Sequence, residues 1–154
     1  MIQKKEFNKL PYRNNVGAMI CKGNKYLLIQ YPNGVWKMPQ GGVHENEKRK
    51  ETLMRELKEE LGTDKFEVIK RFPFSHQYDW DEETIGQAGF KWRGQKQTFF
   101  LVEFVGKDSD IKLDTDELKD YCWATEKELF MKIDQESIFL KNYKKLVEKL
   151  LKAK

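Results

Sequence analysis

The chain has 154 residues and a net charge of +4, with 39% hydrophobic, 13% aromatic and 35% charged residues. This apolar and aromatic content excludes disorder as the main state and is enough for the core of one domain. No apolar run approaches the roughly 18 residues that a membrane span needs, and the first residues lack the apolar segment of a secretory signal. We therefore expect a single cytoplasmic domain over residues 1–154.

Strand and helix patterns alternate along the chain. Two apolar runs bounded by a Gly-Asn pair predict a hairpin, and a later run is apolar enough for a strand covered on both faces. The predicted strands are 16–21, 26–31, 66–72, 97–105 and 121–124, and the predicted helices are 47–61, one that begins after 124 with Thr125 as its cap, and 136–152. Interleaved strands and helices of this kind predict an α/β sandwich around a mixed sheet.

Two segments are candidates for contact with a ligand. Residues 79–94 follow neither the helical nor the strand period, so we predict a long loop, and long loops in compact domains are often functional. Lysines are concentrated in the last helix, from Lys141 to Lys154. We interpret them as a solvated helix face, with contact to an anionic ligand as the alternative.

The cysteines and histidines do not indicate a zinc site. Cys21 and Cys122 lie in separate apolar runs, and we predict two buried free thiols, with a disulfide as the alternative. His44 and His76 are far apart, and we interpret each as a loop residue.

The predicted helix 47–61 has an apolar face beside an acidic face. The apolar positions are Leu53, Met54, Leu57 and Leu61. At about 100° per residue, Glu56, Glu59 and Glu60 fall together on the adjacent stripe. Carboxylates this close repel each other, and Mg²⁺ or Mn²⁺ would hold them together with water and phosphate oxygens. Considered alone, the stripe also fits a solvated Glu-rich helix.

The spacing of residues 41–63 resembles the Nudix box, G-x5-E-x7-R-E-U-x-E-E-x-G-U, in which U is apolar. The matching positions are Gly41, Glu47, Arg55, Glu56, Leu57, Glu59, Glu60 and Gly62, and Thr63 departs from the pattern at the final apolar position. This resemblance implies a Nudix fold, an α/β/α sandwich around a mixed sheet. It also implies that the three glutamates of the acidic stripe bind metal, with Gly41 as a further ligand.

Other box residues have predicted structural roles. Glu47 is the expected partner of Arg55 in fixing the loop before the helix. Gly42, like Gly41, allows a close approach that a side chain would block, and Gly62 is suited to a left-handed helix cap.

The flanking segments resemble those of bacterial RNA 5′ pyrophosphohydrolases and their dinucleoside polyphosphate hydrolase relatives. These segments are PYRNNVGAMI, VWKMPQGGVHENE, GQKQTFFL and DELKDYCWAT. The resemblance implies that Arg13 contacts the 5′ phosphates and that Glu117 is a further metal ligand or the general base. The remaining substrate-binding candidates are Gln40, Gln95, Lys96 and Phe139. Phe99 stands where tryptophan is usual in that family, and residues 79–94 differ from the family's corresponding loop.

The resemblance implies a hydrolase that uses Mg²⁺, or Mn²⁺, to remove pyrophosphate from the 5′-triphosphate or diphosphate end of RNA. A dinucleoside polyphosphate such as diadenosine tetraphosphate is the alternative substrate. The alternative of another class is a Nudix-fold module that binds nucleotide or RNA without catalysis, although such a module would not need all three box glutamates. Nothing in the sequence indicates a membrane or protein partner.

Overall fold

The computed structural model describes residues 4–133 and 142–154. The strands are β1 (Tyr12–Lys22), β2 (Lys25–Gln30), β3 (Trp36–Lys37), β4 (Gln40–Gly42), β5 (Phe66–Asp79), β6 (Gly94–Phe104) and β7 (Asp120–Ala124). The helices are α1 (Arg49–Leu61), α2 (Glu82–Gln87), α3 (Glu126–Ile133) and α4 (Tyr143–Ala153). Short 3-10 turns lie at Lys4–Lys9 and Asp108–Asp110.

Seven strands form one mixed sheet in the order β3-β2-β1-β6-β5, with β4 paired to β1 and β7 paired to β2. The long strand β1 runs parallel to β6, whereas the other pairs are antiparallel. Its first half lies between β4 and β6, and its second half lies between β2 and β6. The polar start of β1 is thereby brought beside the glycine pair of β4.

Apolar side chains cover the sheet on both faces. On one face, Leu53 and Leu57 of α1 pack in a cluster with Phe100. On the other, α3 and α4 pack in a cluster with Phe99 and Leu101. Neighbouring residues of β6 therefore belong to different cores, because side chains alternate along a strand. The predicted α/β/α sandwich and the strand covered on both faces are confirmed.

The predicted strand 66–72 was too short, and the predicted loop 79–94 was wrong over eight of its sixteen residues, because 82–87 are helical and 79 and 94 belong to strands. β5 continues through Pro73 to Asp79, since the proline lies in a register shift between Arg71 and Ser75, where no ladder hydrogen bond is needed. The loop segment contains α2, which Asp81 caps by accepting a hydrogen bond from the Thr84 N–H at 2.8 Å. β1 also begins earlier than predicted, because Tyr12 and the polar residues after it pair with β6.

The remaining helix and thiol predictions are confirmed in part. α1 begins at Arg49, two residues later than predicted, and the Thr125 hydroxyl lies 3.3 Å from the Glu128 N–H as the predicted cap of α3. The described part of the last helix is α4, whereas 134–141 lie outside the described residues. Cys21 and Cys122 are both free but half-buried rather than buried. None of the helices in the described ranges is long and apolar enough to cross a membrane.

Candidate active site

Glu47 ties the loop after the glycine pair to α1. Its carboxylate accepts hydrogen bonds from the His44 N–H at 3.1 Å and from the Thr52 hydroxyl at 2.6 Å. It also pairs with Arg55, whose Nε and Nη2 lie 2.8 and 3.0 Å from its two oxygens. The guanidinium, followed by the Thr52 hydroxyl, holds the pKa of Glu47 well below its usual range. The predicted contact between Glu47 and Arg55 is therefore present.

Arg55 also contacts the first two glutamates of the acidic stripe. Its Nη1 lies 2.9 Å from Glu56 Oε1 and 3.4 Å from Glu59 Oε2, while its Nη2 donates to the carbonyl oxygen of Gly42 at 3.2 Å. Burial raises the pKa of Glu56, and the Arg55 guanidinium opposes that rise. One cation thus draws the loop, the glycine pair and two carboxylates together.

Glu60 is the buried member of the acidic stripe, with 6% of its surface exposed. Its Oε2 has no hydrogen-bond partner among the residues that the structure describes. Burial, followed by the charges of Glu56, Glu117 and Glu59, raises the pKa of Glu60 to about 8, and Lys37 opposes the rise. A buried carboxylate oxygen without a donor is unfavourable unless a cation or proton reaches it.

Glu117 approaches this cluster from a separate part of the chain. The N–H of Asp114 donates to the main-chain oxygen of Glu60 at 2.9 Å, which ties this segment to the end of α1. The N–H of Leu118 donates to Asp114 at 2.9 Å, and the Leu118 side chain is buried against the α1 face. Glu117 is itself exposed, and its charge contributes to the raised pKa of Glu60.

The box glycines occupy positions where a side chain would collide. A Cβ on Gly41 would lie 2.2 Å from the Glu56 carboxyl carbon, and a Cβ on Gly42 would lie 2.2 Å from Nη2 of Arg13. Gly62 ends α1 with a positive φ of 70° and donates its N–H to Lys58, as the predicted left-handed cap requires. Gly41 and Gly42 therefore bring a metal-ligand candidate and a phosphate-ligand candidate against the same short strand.

The acidic cluster has the chemistry of a divalent-metal site. Within the described part of the chain, no group of three or more His, Cys, Asp or Glu side chains is already arranged around a metal position. The unpaired buried oxygen of Glu60 nevertheless lacks a positive partner, and Glu56 and Glu59 share one guanidinium. Mg²⁺ and Mn²⁺ accept carboxylate oxygens, main-chain oxygens and phosphate oxygens together, so the residues fit such an ion.

Polar side chains form a row on the face of the sheet opposite α1. Gln97 donates its amide to Asn15 at 3.0 Å and to Gln40 at 2.6 Å. On the same face, the Tyr78 hydroxyl donates to Gln95 at 2.7 Å. The parallel register of β1 and β6 places Gln95 beside Arg13 and Gln97 beside Asn15. We call Arg13, Asn15, Gln40, Gln95 and Gln97 the polar row.

The structure separates the predicted substrate-binding residues. Arg13, Gln40 and Gln95 lie together in the polar row, with Arg13 5.2 Å from the centre of the Trp92 ring. Lys96 points to the α1 face instead, because successive residues of a strand face opposite ways. Phe139 lies outside the described residues.

Asn15 and Gln97 are site candidates that the sequence-based prediction missed. Both are buried polar residues, with 2% and 5% of their surfaces exposed. The available signal was the polar runs 13–15 and 95–97, in which positions two apart lie on one face of a strand, but positions 14 and 96 are polar as well and the sequence does not indicate which face is buried. The register between the two strands could not be predicted from that signal.

Three aromatic side chains, those of Tyr143, Phe99 and Trp123, pack in or against the core. The Tyr143 hydroxyl accepts a hydrogen bond from the buried Met38 N–H at 2.8 Å, so this ring packs rather than stacks on a ligand. Phe99 is 2% exposed, and its ring occupies the space above Gly17. Trp123 stacks on Phe104 with ring centres 5.7 Å apart.

Comparisons with known proteins agree with this fold and box. The model of the NUDIX domain family matches residues 11–147. A protein of Gluconacetobacter diazotrophicus named RNA pyrophosphohydrolase is 41% identical over 117 residues, covering 68% of this chain and 70% of the relative. One of Nitratiruptor sp. with the same name is 37% identical over 152 residues, covering 91% of this chain and 94% of the relative.

Solved structures share the fold. A C. elegans Ap4A hydrolase has a TM-score of 0.62 at 18% identity, covering 92% of this chain and 97% of that one. A NUDIX hydrolase from Nitrosomonas europaea has a TM-score of 0.63 at 22% identity, covering 85% and 84%. Nudix hydrolases need divalent metal ions. The family match and the identity to the curated relatives show that this chain belongs to the Nudix family of hydrolases.

Proposed function

We propose that the protein is a Mg²⁺-dependent hydrolase that removes pyrophosphate from the 5′-triphosphate, or diphosphate, end of RNA. The observation that carries the proposal is the buried, unpaired carboxylate oxygen of Glu60 among three further glutamates. Relatives named RNA pyrophosphohydrolase that match most of the chain support RNA as the substrate. A cytoplasmic location is part of this proposal.

The metal ligands would come from α1 and the strand before it. Glu56, Glu59 and Glu60 supply carboxylate oxygens, Gly41 supplies its main-chain oxygen, and Glu117 is the further candidate from the β7 side. When bound, Mg²⁺, or Mn²⁺, lowers the pKa of a water and stabilises the charge of the leaving phosphates. Glu117 or Glu60 accepts the proton of the attacking water at a carboxylate oxygen.

The polar row would hold the phosphates and the first nucleotide. The Arg13 guanidinium presents a fork of donors suited to phosphate oxygens. Its approach to Gly42 places that charge one residue from Gly41, which lies against Glu56. Gln40 and Gln95 supply amide groups for phosphate or ribose. Arg13 and Glu56 thus lie against adjacent residues of β4, on opposite faces of this strand.

A dinucleoside polyphosphate is the second candidate substrate. The fold similarity to an Ap4A hydrolase and the shared anhydride chemistry favour keeping it. A module that only binds nucleotide or RNA is the third candidate, and the intact set of box glutamates argues against it.

The test compares hydrolysis of 5′-triphosphorylated RNA and diadenosine tetraphosphate with Mg²⁺, using the wild type and Glu60→Gln. We expect turnover of the RNA that depends on metal, and a loss of at least about 100-fold in Glu60→Gln. Glu51→Gln is the matched control, because Glu51 is an exposed glutamate of the same helix.

The outcomes distinguish the three candidates. Preference for diadenosine tetraphosphate would replace RNA as the substrate. If neither compound is hydrolysed in a metal-dependent reaction, the proposal that the protein is an enzyme is refuted. If Glu60→Gln keeps full activity, the proposed role of Glu60 in the metal site is refuted.

A further inference from the structure

A cavity lies on the α1 face of the sheet, opposite the face that bears the polar row. Its volume is about 340 Å³, and it opens between the start of α1 and the middle of β5 and β6. Its polar lining consists of Arg49, Arg71, Ser75, Lys96 and Thr98. We call these five residues the basic cavity.

The charge of the basic cavity is positive and unbalanced. Its lining contains three cations and no carboxylate. Within residues 4–133 and 142–154, none of Arg49, Arg71 and Lys96 forms an ion pair. By contrast, Arg55 and Arg93 each pair with a carboxylate at 2.9 Å or less.

The unpaired guanidinium nitrogen of Arg49 is the strongest indication that the basic cavity binds a ligand. This nitrogen, Nε, is buried and has no hydrogen-bond partner in the described part of the protein. The other contact of the guanidinium is weak, because Nη2 lies 3.5 Å from the Asn14 side-chain oxygen. A buried donor of this kind is unfavourable unless an acceptor reaches it, and a phosphate oxygen would be that acceptor.

The bulge of β5 brings two hydroxyl groups to the same place. Arg71 pairs with Phe100 and Ser75 pairs with Thr98. Between these two pairs, β5 contains three residues and β6 contains one. Phe72, which lies within the bulge, is 1% exposed and anchors it in the opposite core. Ser75 and Thr98 can therefore donate to an anion held by the three cations.

We infer that the basic cavity binds a phosphate group, either a phosphodiester of the RNA substrate downstream of its 5′ end or free inorganic phosphate. The RNA source rests on the function proposed above. Arg49 precedes Glu56 by seven residues, or about 10 Å along the helix axis. Since Lys96 and Arg71 are exposed, a chain of nucleotides can reach the cavity from solvent.

The first experiment measures binding of a 5′-hydroxyl single-stranded RNA dodecamer to the metal-free protein. Fluorescence anisotropy at several salt concentrations gives the affinity. This RNA has no 5′ phosphate, so binding does not depend on hydrolysis. We expect Arg71→Gln and Arg49→Gln to weaken binding several-fold and to reduce the salt slope by roughly 0.7 for each RNA phosphate that the variant no longer neutralises. Lys50→Gln is the control, since Lys50 is an exposed cation of the same helical turn as Arg49.

The second measurement is titration of the wild type with inorganic phosphate, observed at the Arg49 Nε–H signal by NMR. A saturable shift that Arg71→Gln weakens supports the phosphate site even when Arg49→Gln disturbs folding. Such a shift with unchanged RNA binding in both variants identifies free phosphate as the source. The absence of any response to phosphate, with RNA binding unchanged in both variants, overturns the inference. If the two variants bind RNA more weakly but the wild type does not hydrolyse 5′-triphosphorylated RNA, the proposed function is refuted and the phosphate site is supported.

Discussion

Glu60 is buried, with 6% of its surface exposed, and the charges of three other glutamates repel its carboxylate. A surface helix would not place an acid there, because burial without a donor is costly. In the proposed metal site, a divalent cation would supply the positive partner that the Glu60 carboxylate lacks. We therefore propose that Glu60 lowers the stability of the metal-free protein and contributes to metal affinity.

We predict that Glu60→Gln stabilises the metal-free protein at pH 8 by about 1 to 3 kcal/mol, because a neutral amide removes the repulsion and can donate to the neighbouring carboxylates. The pKa of Glu60 is raised from 4.5 to about 8. The folded state therefore favours the protonated form of Glu60. The stability that this form contributes is fully present below pH 4.5 and is lost as the pH rises through 8. Urea denaturation in EDTA should show a gap between variant and wild type that shrinks toward pH 5. An equal gap at both pH values would contradict the prediction.

Glu47 contacts His44, Thr52 and Arg55, and we propose that it acts through these residues rather than on the substrate. We predict that Glu47→Gln lowers metal-dependent activity roughly 10- to 100-fold, as loss of a residue that orients metal ligands commonly does. The reason is that Arg55 would lose its main partner and release Glu56 and Gly42. A titration of kcat/KM with Mg²⁺ should show that the variant needs a higher Mg²⁺ concentration for half-maximal activity. Glu45→Gln, an exposed change in the same loop, serves as control, and an equal loss there would indicate a general charge effect.

At the scale of elements, the end of α1 is a junction between the box and the segment that carries Glu117. Gly62 closes the helix with a positive φ, and the segment after Ile111 crosses directly over it. The N–H of Lys112 donates to the Leu61 oxygen at 2.8 Å, and the N–H of Asp114 donates to Glu60. The last turn of the helix therefore positions acids from two distant parts of the chain.

We predict that Gly62→Ala destabilises the protein by more than the roughly 1 to 2 kcal/mol that a left-handed conformation costs an L-residue. An added Cβ would lie 2.6 Å from the Lys112 carbonyl oxygen, so the crossing segment must also move. Gly23→Ala is the matched control, because Gly23 has a φ of 60° with nothing within 4 Å of an added Cβ. Urea denaturation measures both, and equal losses would show that the crossing segment does not matter.

On the scale of the whole molecule, the last helix closes the face of the sheet that bears the polar row. Tyr143, Leu146 and Leu150 of α4 join the core that contains Phe99. The Tyr143 hydroxyl also reaches Met38, 105 residues away in sequence. The end of the chain thereby fixes the segment that leads into the glycine pair.

We predict that Tyr143→Phe lowers the free energy of unfolding by about 1 to 3 kcal/mol, because the buried N–H of Met38 loses its acceptor. Thermal or urea denaturation measures the change. Tyr121→Phe removes a hydroxyl whose 3.2 Å bond to Asp108 is exposed and should cost less. Equal losses in the two variants would contradict a special role for the buried contact.

The sequence by itself determined the fold class and the box, because short-range spacing encodes both. Positions three and four apart define a helix face, so the acidic stripe and its apolar neighbour follow from residues 47–61 alone. The pairing of Glu47 with Arg55 was predictable for a related reason, since the two residues belong to one loop and helix. The metal ion itself remains a prediction from this chemistry.

Only the tertiary structure decided which distant residues meet. Strand register places Arg13 beside Gln95 and turns Lys96 to the opposite face, and a shift of one residue would reverse both assignments. Burial of Glu60 likewise depends on the segment from Lys112 to Leu118, which lies some 50 residues away in the sequence. Register, burial and the basic cavity arise from long-range packing, and no local spacing in the sequence records them.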